Sequence, residues 1–306
     1  MKNLYLGLGL VMAPLLTLGC NMNEFSVNLT APVLHEASKA FAMESDLQFA
    51  REAAPGNLVT LVGFLYSAPQ NRYLLHTCAQ GFAEYAFGFL EDDLEQLPDD
   101  EKHEAQRKLL AARATDLYDR ALGFSLRLIA TDDKHFDAAF KKDVSATEAE
   151  AKKLDKDSIA GLMFGGMSLA SSINLNRNDV ARVVDLPKAI AMIKRAYELD
   201  PKFDNAGAAM LLGVVYSSQG KAMGGNPELA KKYFDEALAA TGGKYLLTKV
   251  MLARFYAVVI QDRPLFEKTL NEVLSAPNDI WPEQRLANEL AKRRARRYLD
   301  HAEDYF

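Results

Sequence analysis

His76 and Cys78 are the one place where this 306-residue chain sets a potential base beside a potential nucleophile. They lie two apart in "LLHTCAQGFAEYAF", an apolar helical stretch. Side chains at that spacing diverge on a helix, so the pair reads as core packing and not as a catalytic dyad. Five His and two Cys leave little material for a metal cluster. The chain has no HExxH helix, CxxC pair, GxSxG elbow or phosphate loop. The acidic runs Glu91 to Asp93, Asp99-Asp100 and Asp132-Asp133 lack the alternating oxygen ligands and turn glycine of a calcium loop. They read as solvated helix ends and loops. No enzyme activity, cofactor or metal is expected.

"KRRARR", Lys292 to Arg297, is the basic cluster. It could meet acidic partners or lipid headgroups. It also fits a solvated face near the end of the last helix, where cations complement the macrodipole, with Arg296 and Asp300 four apart. The whole chain carries 36 basic and 41 acidic residues, a balance that argues against a nucleic-acid binder.

Binding chemistry is better represented. "SIAGLMFGGMSLASSINL" is apolar almost all round and contains Gly161, Gly165 and Gly166, and "LLTKVMLARFYAVVI" is similar. Methionine adapts its shape and glycine admits close approach. Phe164, Gly165, Met167, Met210, Met251 and Phe255 are therefore the candidate lining of a ligand cavity, with a plain packed core as the alternative. A second candidate is the loop of Gly224 and Gly225 in "AMGGNP", together with Arg285 and Asn288. Arg285 and Asn288, three apart, share a face of the final helix, and an Asn side chain both donates and accepts. They suit recognition of a peptide or a polar ligand group. Alternatively, Asn288 ties down the loop's own carbonyls. Asn226 and Pro227 are suited to cap and begin the helix that follows the glycines.

The elements that must carry these residues are helices. Amphipathic or apolar helical patterns cover 38–51, 73–92, 101–130, 158–175, 186–199, 205–219, 228–240, 244–261, 264–274 and 282–302. "PGNLVTLVGFLYSAPQN" is ambiguous by periodicity and is read as a helix capped by Asn57. Ala114/Tyr118/Ala121, Ala189/Ile193/Ala196 and Ala230/Phe234/Ala237 each place small, large and small side chains on one helix face, and Phe266/Leu270/Val273 keeps the spacing. That is the second-helix pattern of the tetratricopeptide repeat, with Pro201 where that repeat ends and Leu212-Gly213 with Tyr216 as a first-helix signature. The triplets step by 75, 41 and 36 residues, against about 34 for the consensus. The expected fold is all-α: a helical-hairpin solenoid of about four degenerate tetratricopeptide-like repeats with a C-terminal helix.

Residues 1–19 read as a signal peptide: Lys2 is followed by a short apolar stretch rich in glycine. "LTLGC" is similar to a lipobox, although Thr17 stands where Leu is preferred, and it makes Cys20 the lipidation site. Residues 20–30 then form a lipidated tether and 31–306 the helical-repeat domain. Asn21 in place of Asp favours the outer membrane as the anchored surface. Cys78 remains as a lone, buried, inert thiol.

Several stretches together resemble the T-component lipoproteins of TRAP (tripartite ATP-independent periplasmic) transporters. They are "FAEYAFGFLE", "LYDRALGFSLRL", "DLPKAIAMIKRAYELDP", "MGGNPELAKKYFDEAL", "ARFYAVVIQDRPLFEKTLNEVL" and "WPEQRLANELAKRRARRYLDHAEDYF", in the family's order. The resemblance implies a periplasmic, lipid-anchored, self-associating protein, with a trimer as candidate assembly. It implies docking to the transporter's periplasmic solute-binding protein and handling of an apolar or amphipathic solute. The competing expectation is an outer-membrane assembly scaffold that holds peptide segments in its groove. No role is read into 132–157.

Overall fold

The computed structural model describes residues 22–218, 220 and 224–306, so residues 1–19, expected to form a signal peptide, and Cys20 lie outside the described residues. Among those residues the secondary structure is entirely helical. The chain begins with α1 (Met22–Ala42) and α2 (Leu47–Ser67). The expected helix over 38–51 is instead broken at Met43–Asp46, because Asp46 is the stronger cap. Its extended backbone lets the carboxylate accept from the N–H groups of Gln48 and Phe49 at 2.8 and 3.1 Å. Asn57 is not a cap; it lies inside α2, two residues after an exposed Pro55. α1 runs through residue 30, the expected end of the tether, and buries Val27 and Ala31.

Next come α3 (Arg72–Tyr85), a π-helical turn (Ala86–Leu90), α4 (Glu91–Gln96), α5 (Glu104–Ala130), α6 (Phe136–Lys142) and α7 (Val144–Ala151). The central helices are α8 (Ile159–Leu175), the short α9 (Val180–Val183), α10 (Leu186–Leu199), α11 (Phe203–Ser218) and α12 (Pro227–Ala240). The last are α13 (Leu246–Met251), a second π-helical turn (Leu252–Ala257), α14 (Arg263–Ser275) and α15 (Arg285–Asp300). Asn226 caps α12 by accepting from Leu229 N–H at 3.0 Å, and Pro227 takes the first helical position.

Packing runs mainly between successive helices: α3 on α5, α5 on α8, α8 on α10, α10 on α11, α11 on α12, and α13 and α14 on α15. All twelve residues of the four small–large–small or spacing-matched triplets are fully buried. Opposite the third triplet, a Cβ at Gly213 would come within 2.9 Å of the Phe234 ring, so only glycine lets α11 lie that close to α12. α8 is apolar all round because α5 and α10 flank it.

The last helix also touches the first ones: α15 contacts α1 and α2, and the Pro282–Gln284 turn contacts α1. The tie beneath this contact is ionic. Asp92 on α4 is completely buried and pairs with Arg293 at 2.7 Å, Arg297 at 3.0 Å and Arg294 at 3.1 Å. Arg294 also donates to the Phe87 carbonyl at 2.6 Å and stacks on the Phe87 ring. Arg297 pairs with Glu95 at 2.6 Å, and the Tyr298 hydroxyl donates to the same carboxylate at 2.8 Å. This corrects two sequence expectations. The basic cluster is not a solvated face except at Lys292's side and at exposed Arg296, and the acidic run at 91–93 includes a buried carboxylate. Side chains 202 positions apart make that pairing, a separation at which local pattern carries no signal.

Breaking a buried ion pair by neutralising one partner costs about 3–5 kcal/mol. Asp92→Asn keeps the shape but leaves three guanidiniums without their shared anion. It is expected to lower the unfolding free energy by about that amount, read from urea denaturation. Arg296→Ala, on the exposed side of the same helix, is expected to change it by about 0.5 kcal/mol or less.

Candidate functional site

The solvent side of α3 carries His76, Gln80 and Glu84, four residues apart and therefore on one face. Cys78, Ala79, Phe82 and Ala83, on the other side, are buried. Gln80 donates to the Glu84 carboxylate at 2.8 Å. Solvent reaches Glu84, yet burial, and then the charge of Asp204, push its pKa up to about 8. The carboxylate thus stands at the surface with protein close around it. Asp204 is half-buried and is pushed up to about 6 by burial. Tyr245 is half-buried too; burial raises its phenol well above the ordinary value, and the charges of Asp204 and Glu84 add to this. An acid from α3, an acid from α11 and a phenol at the start of α13 are thus near enough for their charges to be felt by one another.

The backbone is bent to bring Asp204 there. Asp204, Asn205 and Ala206 have φ of 45°, 58° and 59°, a left-handed turn set into α11. Asp and Asn visit that region more readily than most residues, whereas Ala206 has no such excuse and costs about 1–2 kcal/mol. Gly207 follows, where a Cβ would lie 3.1 Å from the Met163 sulfur. Strain of this kind persists only where the surroundings hold it, and it marks positions that serve a site.

Tyr245 is held from the C-terminal side. Asn288, buried on α15, accepts from the Leu246 N–H at 2.9 Å and donates to the Lys244 carbonyl at 3.1 Å. It grips the backbone on both sides of Tyr245, whose ring meets Trp281 edge-on at 6.4 Å. Phe87, one turn beyond Glu84, packs against the cores of both the N-terminal and C-terminal halves. Toward the other end of α3, His76 lies within 4.7 Å of the His35 ring, 5.8 Å of Phe164 and 6.4 Å of Phe203. Burial holds its pKa down at about 4, so the ring is neutral. A cleft of about 230 Å³ opens there, lined by His35, Arg72, Tyr73 and His76 among others.

The residues expected from sequence divide clearly. Phe164 touches His76, and Met210 packs in the C-terminal core while receiving the Thr248 hydroxyl at 3.7 Å. Met167 packs on the N-terminal core, Met251 is buried in the C-terminal one, and Phe255 is half-buried beside the Arg254 guanidinium. Gly165 has no free space: a Cβ there would lie 2.6 Å from Met192 Cε and 3.0 Å from Ser125 Cβ. That glycine lets α8 sit against α5 and α10. Gly224 is exposed with φ 92°, and the loop closes through Gly225 N–H to Gly220 O at 3.1 Å and Asn226 N–H to Tyr216 O at 3.0 Å. Asn288 spends its amide on the Lys244–Leu246 turn and not on this loop. Arg285, one turn before it, is half-buried.

Glu84, Asp204 and Tyr245 were not singled out by sequence reasoning. A signal existed: Glu84 is a lone acid in "FAEYAFGFL", and Asp204 immediately precedes "NAGAAMLLG", a small and apolar run. The site holds carboxyl, amide and phenol groups that donate and accept hydrogen bonds. Cys78, on the opposite and buried side of α3, has its thiol pushed up to about 12 by burial. Among the described residues no group of acidic, His and Cys side chains is arranged to hold a metal.

These groups make stability depend on pH in a definite sense. Glu84 binds its proton up to about pH 8 when folded and up to about 4.5 when unfolded. Unfolding therefore releases a proton between those values, and stability falls as pH rises through that window. His76 acts oppositely: the unfolded ring takes up a proton below 6.5, so its contribution is lost as pH falls from there toward about 4. Glu84→Gln is expected to flatten the decline in melting temperature between about pH 5 and 8 and to leave the acid side unchanged. Superimposable melting profiles for the variant and the parent would contradict the assignment.

Comparison with known proteins gives a consistent outcome. The family described as TRAP transporter T-component matches residues 43–306. A protein of Treponema pallidum (strain Nichols), described as uncharacterized, is 22% identical over 270 residues, covering 88% of this chain and 83% of that protein. With the family match spanning α2 to the C-terminus, the chain belongs to the TRAP transporter T-component family.

Proposed function

We propose that this protein is an exported, lipid-anchored periplasmic component of a TRAP transporter that docks the solute-binding protein and holds an amphipathic solute in the recess between Glu84, Asp204 and Tyr245. The observation that carries the solute reading is a solvent-reached carboxyl pair inside an otherwise apolar helical body. Burial raises both carboxyls above their ordinary values, and the charge of Asp204 raises Glu84 further. A carboxyl that holds its proton donates as well as accepts. It suits a polar end that is neutral or singly positive, and it disfavours a carboxylate. Phe87, Phe203 and Met210, each only partly buried, offer the apolar surface for the rest of the molecule.

The scaffold is read as about four degenerate tetratricopeptide-like hairpins, supported by the four buried triplets and by the successive packing of α5 through α14. The exposed Gly224 loop is the proposed docking edge, with the C-terminal helix behind it as support. Buried Asn288 has a positioning role for Tyr245 and is not a partner contact. Lipidation of Cys20 accounts for retention at the outer membrane, and self-association, with a trimer as the candidate assembly, remains part of the reading.

Three measurements test it. Native mass spectrometry of protein purified from cells should find a bound amphipathic molecule, and Asp204→Asn with Glu84→Gln should lower its occupancy at least several-fold while helical content is kept. A parent protein that is empty and binds no amphipathic probe would overturn the solute reading. Cross-linking in intact cells should capture the solute-binding protein of the same transporter, and recovery of outer-membrane assembly machinery instead would overturn the docking reading. Cys20→Ser should leave an uncleaved or carbonate-extractable form, whereas a processed, membrane-retained variant would overturn the anchor.

A further inference from the structure

α1 is two-faced in a way that core packing does not explain. Val27 and Ala31 point into the N-terminal core and are buried. On the opposite side Met22, Phe25, Leu29 and Val33 are 66%, 57%, 64% and 68% exposed. Their spacing of three, four and four residues puts them in one stripe along three turns, about 17 Å at the α-helical rise. The next position in the stripe is Glu36, exposed and paired with Lys39 at 2.7 Å. The run of large apolar side chains is broken there, and it begins at the end nearest Cys20. One residue, Asn21, separates Cys20 from Met22. The family match begins only at residue 43, so nothing in that family assignment accounts for α1.

We propose that the outward stripe of α1 is a membrane-interface surface, seated in the lipid headgroup region beside the anchor. This rests on the lipid-anchored reading of Cys20. Acyl chains on Cys20 would hold the first turn of α1 at the bilayer, and a stripe of four large apolar side chains two residues away would otherwise remain in water. An amphipathic helix lying in the interface buries its apolar face to a depth of about 5–10 Å. α1 also packs against α2 and α3 and touches α15 and the Pro282–Gln284 turn. A seated α1 therefore fixes how the whole body stands on the membrane and does not act as a loose tether. The occupant of the face is the lipid surface, and it is chosen over a second copy of the chain because the stripe begins two residues from the attachment point.

The test uses the full-length chain, matured in cells and reconstituted into vesicles of phosphatidylethanolamine and phosphatidylglycerol. Phe25→Trp combined with Trp281→Phe gives a single reporter in the stripe, and Lys268→Trp with Trp281→Phe places a control on exposed α14. In vesicles made with brominated acyl chains, the reporter at position 25 is expected to lose more than half its emission and to shift to shorter wavelength, while the control is unchanged. Equal, weak quenching at both positions overturns the proposal. So does a reporter at 25 that is shielded from acrylamide but not quenched by bromine, which would assign the stripe to contacts between copies. The mass of the N-terminal peptide from the same sample reports independently whether Cys20 carries lipid. An acylated Cys20 without quenching thus leaves the anchor standing and removes only the seated helix.

Discussion

A single buried carboxylate organises this molecule. Asp92 draws three guanidiniums of α15 to itself from 201 to 205 positions later in the chain, with no solvent contact of its own. Removing such a group from water costs several kcal/mol unless geometry and hydrogen bonds offset it. Here the offset comes from three ion pairs at Asp92, a carbonyl of the π-helical turn for Arg294, and Glu95 shared by Arg297 and Tyr298, while Arg293 Nε and Arg297 Nε stay buried without a hydrogen-bond partner. Helices that pack one upon the next would otherwise form an open stack. The tie brings the last helix against α4 and leaves it in contact with α1 and α2. The interior of the stack then has walls on both sides.

The candidate site depends on that closure. Glu84 stands one turn before the π-helical turn that Arg294 grips, and Tyr245 is held by Asn288, two turns earlier on the same α15. One helix thus locks the ends of the chain together and sets one wall of the candidate site. The other wall is the left-handed turn at Asp204–Ala206, whose strain the closely packed neighbours sustain. Burial raises both acids, and the charge of Asp204 raises Glu84 further, so both are biased toward holding a proton.

Sequence and structure agree most closely where the physics is local. Helix periodicity, the Asn226-Pro227 start of α12 and the four buried faces follow from side chains three and four apart, and those were legible from residue order alone. Disagreement begins where two local signals compete. At the start of α2, Asp46 outcompetes Asn57 as a cap because it satisfies two N–H groups, and Pro55 is tolerated on an exposed face. Gly165 illustrates a different failure: glycine signals close approach, but the sequence does not say of what. The approach is that of α5 and α10, and a ligand there would have no room.

The sequence by itself determined an all-helical chain of the TRAP transporter T-component family, with inert cysteine chemistry and a lipobox-like start. Those properties rest on composition, spacing and short motifs. Tertiary structure alone decided that "KRRARR" surrounds a buried Asp92, that Asn288 serves Tyr245, and that the charge of Asp204 reaches Glu84. A charged residue has the same appearance in a sequence whether water or a counter-ion solvates it. Which of the two applies is set by contacts made across scores to hundreds of residues, and only the folded chain makes them.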